Sequence, residues 1–372
     1  MSSITTNPDK FGFYQAGEHK TFSKFEAIEL GRTQGKSSSW NFNDNVYGQF
    51  DWTVEPPGDI WNMYKERARQ IRESYDYVVL AYSGGSDSHN MLNAWIEADC
   101  KLDEILSFWN YEGSDDYQSH MSAEITNVVI PDIQKLRDQG LDFQFRLVDT
   151  SKFNIDVIRR YGLNYEYNAN YFFTPNNPAK SLLREEITDY ARLIEEGKRL
   201  CIVWGLEKPQ VRFDGNRYYS QFVDVIDMAV SPYVQRKYFD GWYDELFYWT
   251  PDFPLLPIKA AHLVKNFLTK CHDPIFYQDV PNSYGFNKVL GKYLTDNAIK
   301  TIIYPRWDNN IFCNGKSSSF IFSIRDTWFL HSNLAEKDWY NNMIYSLVKN
   351  VGMSWFSNRN VKVHQSKRYY LE

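Results

Sequence analysis

The rhythm of apolar and polar positions changes several times along the chain. Tyr77-Val78-Val79-Leu80-Ala81-Tyr82 is a continuous apolar run, the mark of a strand buried on both faces. After it Met91, Leu92, Trp95 and Ile96 recur near helical spacing and predict a helix over 89–98. The alternation then repeats. Further strands are predicted over 104–109, 143–148 and 200–204, and helices over 122–139, 152–161 and 178–196, with Gly140 and Gly197 as stops. Pro131 lies inside the first of these helices and predicts a kink or a split. Apolar strands separated by helices define an α/β fold with a parallel, doubly wound sheet. Ligands on such a sheet bind at the carboxyl ends of the strands, near the switch point.

The flanks lack this rhythm. Residues 1–70 read as an N-terminal extension, loop-like over 31–40 and broken at Pro56-Pro57-Gly58. Asp59 is placed to cap a helix that ends at Ser74. Residues 71–250 carry the strand–helix alternation. Residues 251–372 are expected to be mostly helical, with helices over 258–270 and 336–351 and a short strand or hairpin over 319–324. The end of the chain carries Arg359, Lys362, His364, Lys367 and Arg368 and is expected to be solvated.

Composition narrows the function classes. The net charge of −6 argues against a general nucleic-acid coating protein. The chain holds 27 Tyr, 25 Phe and 12 Trp, but no basic stripe accompanies them. They read as core and interface fillers rather than platforms for bases. Cys100, Cys201, Cys271 and Cys313 are far apart, with no CxxC and no zinc spacing, and read as reduced, intracellular thiols. Met1 to Lys10 is polar and no apolar run approaches the ~20 residues that span a membrane, so a cytoplasmic protein is expected.

The chemistry lies where the first apolar run ends. Ala81 and Tyr82 lead into Ser83-Gly84-Gly85-Ser86-Asp87-Ser88, and a helix follows. A strand, a glycine-rich turn and a helix N-terminus form an anion site, because loop N–H groups and the helix dipole point at one spot. Gly84 and Gly85 allow positive φ and close approach of a phosphate. Ser83, Ser86 and Ser88 add hydroxyl donors. Asp87 would repel an anion unless a cation lies between them, which makes it a candidate Mg²⁺ ligand. The Walker A pattern, GxxxxGK[ST], is absent here.

Ser83 to Ser88 resembles the Ser-Gly-Gly-x-Asp-Ser loop of the PP-loop ATP pyrophosphatases, which include the synthetase domain of asparagine synthetase and GMP synthetase. The resemblance is specific over 76–98 and looser through about 210. It implies an adenine-nucleotide α-hydrolase-like, five-stranded parallel sheet. It also implies ATP and Mg²⁺, attack on the α-phosphorus by a carboxylate or amide oxygen, and release of pyrophosphate. An amine or ammonia then displaces AMP. On that pattern the loop cradles the β- and γ-phosphates and Asp87 helps to hold Mg²⁺.

Other stretches take places in this scheme. Gly205-Leu206-Glu207-Lys208 follows the fourth strand, so it should lie beside the loop. Gly205 permits close approach, Glu207 could share Mg²⁺ with Asp87, and Lys208 or Arg212 could meet the α-phosphate. Trp109 and Asn110 end the second strand, where adenine would be read. Ser114-Asp115-Asp116 is an acidic turn, best explained as a helix cap. Lys259, Arg306 and Lys316 are candidates to stabilise departing pyrophosphate.

The layout around 249–270 is similar to phage-encoded asparagine-synthase-like proteins. Ser2 stands where glutamine-dependent relatives expose a cysteine, and 1–70 is too short for a glutaminase domain. Free amine, free ammonia or a separate glutaminase would then supply nitrogen. Two alternatives use the same loop: a nucleic-acid base-modifying enzyme, and a non-catalytic adenine-nucleotide sensor.

Overall fold

The computed structural model describes residues 4, 7–22, 24–109, 125–149, 187–206, 208–223, 241–270, 299–308 and 365–372. The elements expected over 152–161, 319–324 and 336–351 lie outside them. At the centre is a five-stranded parallel sheet. Its strands are β4 (Tyr77–Ala81), β5 (Glu104–Trp109), β6 (Gln144–Asp149), β7 (Leu200–Trp204) and β10 (Trp242–Leu246), in the order β10-β7-β4-β5-β6. The chain steps outward from β4 to β5 and β6, then returns to β7 on the other side of β4. The switch point therefore falls between β4 and β7, and the fold is α/β and doubly wound.

Four of these strands match the expected spans within a residue. The fifth, β10, carries Asp244 and Glu245 inside the core and so has no apolar run to betray it. Glu245 is matched by charges from outside the strand, and Asp244 by indoles on β7 and on β10 itself. Glu245 accepts hydrogen bonds from Lys10 Nζ at 2.6 Å, Arg67 Nη2 at 2.7 Å and Tyr75 Oη at 2.5 Å. Asp244 accepts from the indoles of Trp204 at 2.7 Å and Trp242 at 3.2 Å. Neighbouring side chains on a strand point to opposite faces, so two separate networks serve the two carboxylates.

The helices follow from their caps and apolar faces. In α3 (Ile60–Ser74), Asp59 accepts the Asn62 N–H at 3.1 Å, as its position before the helix predicts. In α4 (Ser86–Glu97), Met91, Leu92 and Trp95 are buried. The kink expected at Pro131 takes the form of a π-helical turn over Ile125–Val129. This is followed by α5 (Ile130–Asp138), with Pro131 in its first turn. The missing N–H falls where the wider turn passes into the α-helix, the backbone staying helical through Val129. Within 178–196, the described part is α6 (Thr188–Glu195), closed by Gly197. The helix expected over 258–270 begins earlier, as α7 (Leu255–Lys270).

Two expectations are corrected. Residues 31–40 are not a loop. They finish α1 (Lys24–Gln34) and open β3 (Ser38–Asn41), which pairs with β1 (Phe13–Ala16) in an antiparallel sheet completed by β2 (His19–Thr21). Buried Trp40 anchors that strand, although its serines look loop-like. Nor is the chain end a free tail, although Lys367 and Arg368 are exposed as expected and Arg359, Lys362 and His364 lie outside the described residues. β11 (Tyr369–Tyr370) pairs with β9 (Tyr218–Gln221), itself joined to β8 (Gln210–Phe213) across a turn held by Asp214. Tyr369 stacks on Trp52 at 4.4 Å and Leu371 is fully buried. Apolar burial of this pair outweighs the basic character of Lys367 and Arg368. Among the described residues, no helix is long and apolar enough to cross a membrane.

Candidate functional site

The site grows out of the carboxyl end of β4. Tyr82 N–H bonds Leu106 O at 2.8 Å and Ser107 Oγ donates to Tyr82 O at 2.6 Å, so β5 holds the strand to its last residue. The chain then turns through Gly84, whose φ of 75° is left-handed and favours glycine. Gly85 is the N-cap of α4 and brings no side-chain acceptor. A helix leaves its first N–H groups without intrahelical partners, so these donors face the turn beside the positive end of the dipole. Ser88 Oγ knits the turn together. It accepts the Ser83 N–H at 3.1 Å, lies 3.2 Å from Ser83 Oγ and donates to Gly85 O at 3.1 Å. Ser86 and Ser88 are both buried, so Ser88 shapes the loop rather than presenting an exposed hydroxyl.

Asp87 is the convergence point of the site. Lys208 Nζ donates to its Oδ2 at 2.8 Å, with both side chains about a quarter exposed at 25%. Tyr304 Oη donates to its Oδ1. Tyr248 Oη donates to the Asp87 carbonyl at 2.7 Å and accepts from Asn90 Nδ2 at 2.9 Å. Burial, and then the Asp87 charge, pushes the Tyr304 phenol well above its ordinary range, so it remains a donor at neutral pH. The ends of β4, β7 and β10 and the segment 299–308 thus meet at one residue, Asp87, with Lys208 and Tyr304 on its carboxylate and Tyr248 on its carbonyl.

Gly205 fits the same corner for a definite reason. A Cβ there would lie 3.0 Å from Ser88 Cα and 3.1 Å from Ser88 N. The close approach is to the first turn of α4, and it lets the irregular stretch after β7 carry Lys208 to Asp87. Gly205 and Lys208 are thus placed beside the first turn of α4. Glu207 lies outside the described residues.

Other candidates are placed elsewhere. Arg212 lies on β8 opposite Tyr219, and among the described residues no hydrogen bond joins it to Asp87 or the loop. Lys259 is buried in α7 and donates to Glu55 Oε1 at 2.7 Å and Pro56 O at 3.1 Å. Its ammonium thus ties α7 to the Pro56-Pro57 turn. Arg306 clasps Glu97 at 2.9 Å, at the far end of α4, with its guanidinium 5.3 Å from the Trp61 ring. Trp109 ends β5 across from Asp149, as expected of a strand terminus. Asn110, Ser114, Asp115, Asp116, Lys316, Cys271 and Cys313 lie outside the described residues. Cys201 is buried and Cys100 half-buried, and burial raises both thiols, Cys100 to about 11. Both therefore remain protonated at neutral pH.

A second cluster went unread in the sequence. Tyr82 Oη donates to Asp132, and His89 Nδ1 lies 3.0 Å from Tyr82 Oη and 3.2 Å from Asp132 Oδ2. Burial would raise the Asp132 carboxyl, but hydrogen bonds from His89 and Tyr82 hold it below its ordinary range. The cluster locks the first turns of α4 and α5 together on the β5 side of the loop.

Among the described residues, no three His, Cys, Asp or Glu side chains are grouped to enclose a metal. One partly exposed carboxylate fits a different arrangement. Mg²⁺ retains waters and is commonly held by one or two carboxylates together with substrate phosphates. The donor set at Asp87 suits that shared mode.

The fold and site define a doubly wound α/β protein with a glycine- and serine-rich loop at its switch point, leading into a helix N-terminus. No family model matches the chain, and no curated protein matches it in sequence. Among solved structures, an NH3-dependent NAD synthetase from Campylobacter jejuni, in complex with the nitrate ion, is 15% identical with a TM-score of 0.28. That match covers 41% of this chain and 58% of the synthetase chain. NAD+ synthetase from Burkholderia pseudomallei is 13% identical with a TM-score of 0.27, covering 82% of this chain and 94% of its own. Likeness at this level carries no argument, and the fold stands on the observed strand order.

Proposed function

We propose that this chain is an ATP-dependent, AMP- and pyrophosphate-forming ligase of the PP-loop type. It activates a carboxylate or amide oxygen of a small molecule and passes the activated group to an amine or ammonia. One observation carries the reading. The Ser83-to-Ser88 loop sits at the switch point, on a helix N-terminus that no side chain caps. The loop N–H groups would bind the β- and γ-phosphates. Asp87, with Glu207, would hold Mg²⁺, which when bound supplies charge neutralisation on the phosphoryl oxygens. Lys208 would meet the α-phosphate.

The acceptor oxygen then bonds to the α-phosphorus while the bond to the β-phosphate oxygen breaks, and pyrophosphate leaves. The amine next bonds to the activated carbon, AMP leaves with the acceptor oxygen, and a proton is released. Nitrogen comes from a free amine, free ammonia or a separate glutaminase.

Incubation with ATP, Mg²⁺ and a panel of carboxylates and amines should yield AMP and pyrophosphate in equal amounts. ADP and phosphate as the sole products would overturn the reading. Asp87→Ala should abolish turnover and leave the far-ultraviolet circular dichroism unchanged.

A further inference from the structure

The two contacts on the Asp87 carboxylate differ in kind. Tyr304 is 1% exposed and its ring lies 5.6 Å from that of Tyr248 and 6.4 Å from that of Tyr64. The backbone around it is fixed as well. Ile303 O accepts the Tyr64 hydroxyl at 2.8 Å and Tyr304 N–H bonds Lys300 O at 2.9 Å. Two residues on, Arg306 clasps Glu97, and Trp307 packs edge-on to His89 at 5.8 Å. The segment is thereby gripped along the length of α4. Lys208 instead reaches Asp87 on a flexible four-carbon stem from the irregular stretch between β7 and β8, and its side chain is 25% exposed.

We infer that Tyr304 is the positioning residue that fixes the Asp87 carboxylate, and that Lys208 is an exchangeable counter-ion that yields Oδ2 to a divalent cation when nucleotide arrives. The inference rests on the ATP reading for the identity of the incoming anion. A rigid donor on Oδ1 restrains the carboxylate and leaves Oδ2 to the ammonium of Lys208. The ammonium neutralises Oδ2 until the metal replaces it. Displaced from Oδ2, the ammonium can pair with a phosphate oxygen that the metal brings with it. The charge on Asp87 is therefore neutralised both before and after binding, and the site need not hold an unpaired carboxylate at either stage.

The two roles predict opposite signs for one variant. Binding of Mn²⁺ alone, read by the electron paramagnetic resonance of free Mn²⁺, should tighten about fivefold in Lys208→Met, because its competitor for Asp87 is gone. Binding of Mg²⁺ with α,β-methylene-ATP, read by calorimetry, should weaken in the same protein. Tyr304→Phe retains the packed ring, so its melting temperature should stay close to that of the wild type, while Mn²⁺ affinity falls about tenfold or more. A Lys208→Met protein whose Mn²⁺ affinity is unchanged or weaker would overturn the exchange. A Tyr304→Phe protein with unaltered Mn²⁺ affinity would overturn the positioning role. If the wild type binds Mn²⁺ but no nucleotide, and the variants move Mn²⁺ binding as stated, the ATP reading fails while the exchange at Asp87 stands.

Discussion

Glu245 and Asp87 are carboxylates with similar partners and different surroundings. Each meets a lysine ammonium and a tyrosine hydroxyl, Lys10 and Tyr75 for Glu245 and Lys208 and Tyr304 for Asp87. Glu245 also meets Arg67, and the side chains of Glu245, Lys10 and Arg67 are all 2% exposed or less. Asp87 and Lys208 are 25% exposed. In the first cluster water cannot replace any partner, so the charges hold α3 and the N-terminal segment to the sheet edge. In the second, a ligand can replace a partner at small cost. Equal chemistry thus serves cohesion in one place and exchange in the other, and burial decides which.

The largest expected effect tests the buried side. Glu245→Gln leaves Lys10 and Arg67 in the core without their anion and should cost about 3–5 kcal/mol, read from the urea midpoint. Asp87→Asn should change stability by less than about 1 kcal/mol, since its pair is partly screened by solvent. It should nonetheless slow AMP formation by about 10²–10³-fold, the scale of losing one preorganised electrostatic contact. A large loss of stability from Asp87→Asn would erase the distinction. Next in size is Gly205→Ala. Its Cβ would press on backbone of α4 at 3.0 Å, where no flexible side chain can give way. A destabilisation of about 1–3 kcal/mol is expected, together with weaker nucleotide binding.

These contrasts explain what could be read from the sequence. β4 and β7 were legible because a strand buried on both faces among apolar neighbours must itself be apolar. β10 was not, because Glu245 is answered by Lys10 and Arg67, far away in sequence, and Asp244 by two indoles. The Ser83-to-Ser88 loop and its neighbour Lys208 were legible from local pattern and strand order. Tyr304 was not, being 217 residues from Asp87 in a segment with no motif of its own. Lys259, expected to stabilise departing pyrophosphate, is placed on Glu55 and Pro56 instead. Its apolar neighbours Ile258, Ala260 and Ala261 were the signal of a buried anchor.

Asp244 sharpens the comparison within a single strand. Burial pushes its carboxyl up to about 7, despite hydrogen bonds from Trp204 and Trp242. Burial would raise Glu245 too, but Lys10 and Arg67 hold it below its ordinary range. The signs are therefore opposed. Between the ordinary carboxylate range and about pH 7, folded Asp244 retains a proton that the unfolded chain has released. Its contribution to stability falls as pH rises through that window, by up to about 1.4 kcal/mol per pH unit. The contribution of Glu245 is present above its unfolded value and is lost as pH falls through its depressed folded value. Asp244→Asn should flatten the dependence of urea stability between about pH 5 and 7 and leave the acid limb in place. An unchanged slope would mean that another group titrates there.

The smallest effect expected concerns Arg306, where the two readings of a cation separate cleanly. As a pyrophosphate ligand it would hold an anion at the loop. As placed, it is paired with Glu97 at the other end of α4, with the two side chains 53% and 39% exposed. An exposed pair of this kind contributes little, because solvent screens it and two long side chains lose freedom to form it. Contact with the Trp61 ring adds a similarly small amount. Arg306→Met should therefore lower stability by less than about 1 kcal/mol. Inhibition of AMP formation by added pyrophosphate should match that of the wild type. Weaker inhibition by pyrophosphate would return Arg306 to the phosphate site and remove it from the clamp on α4.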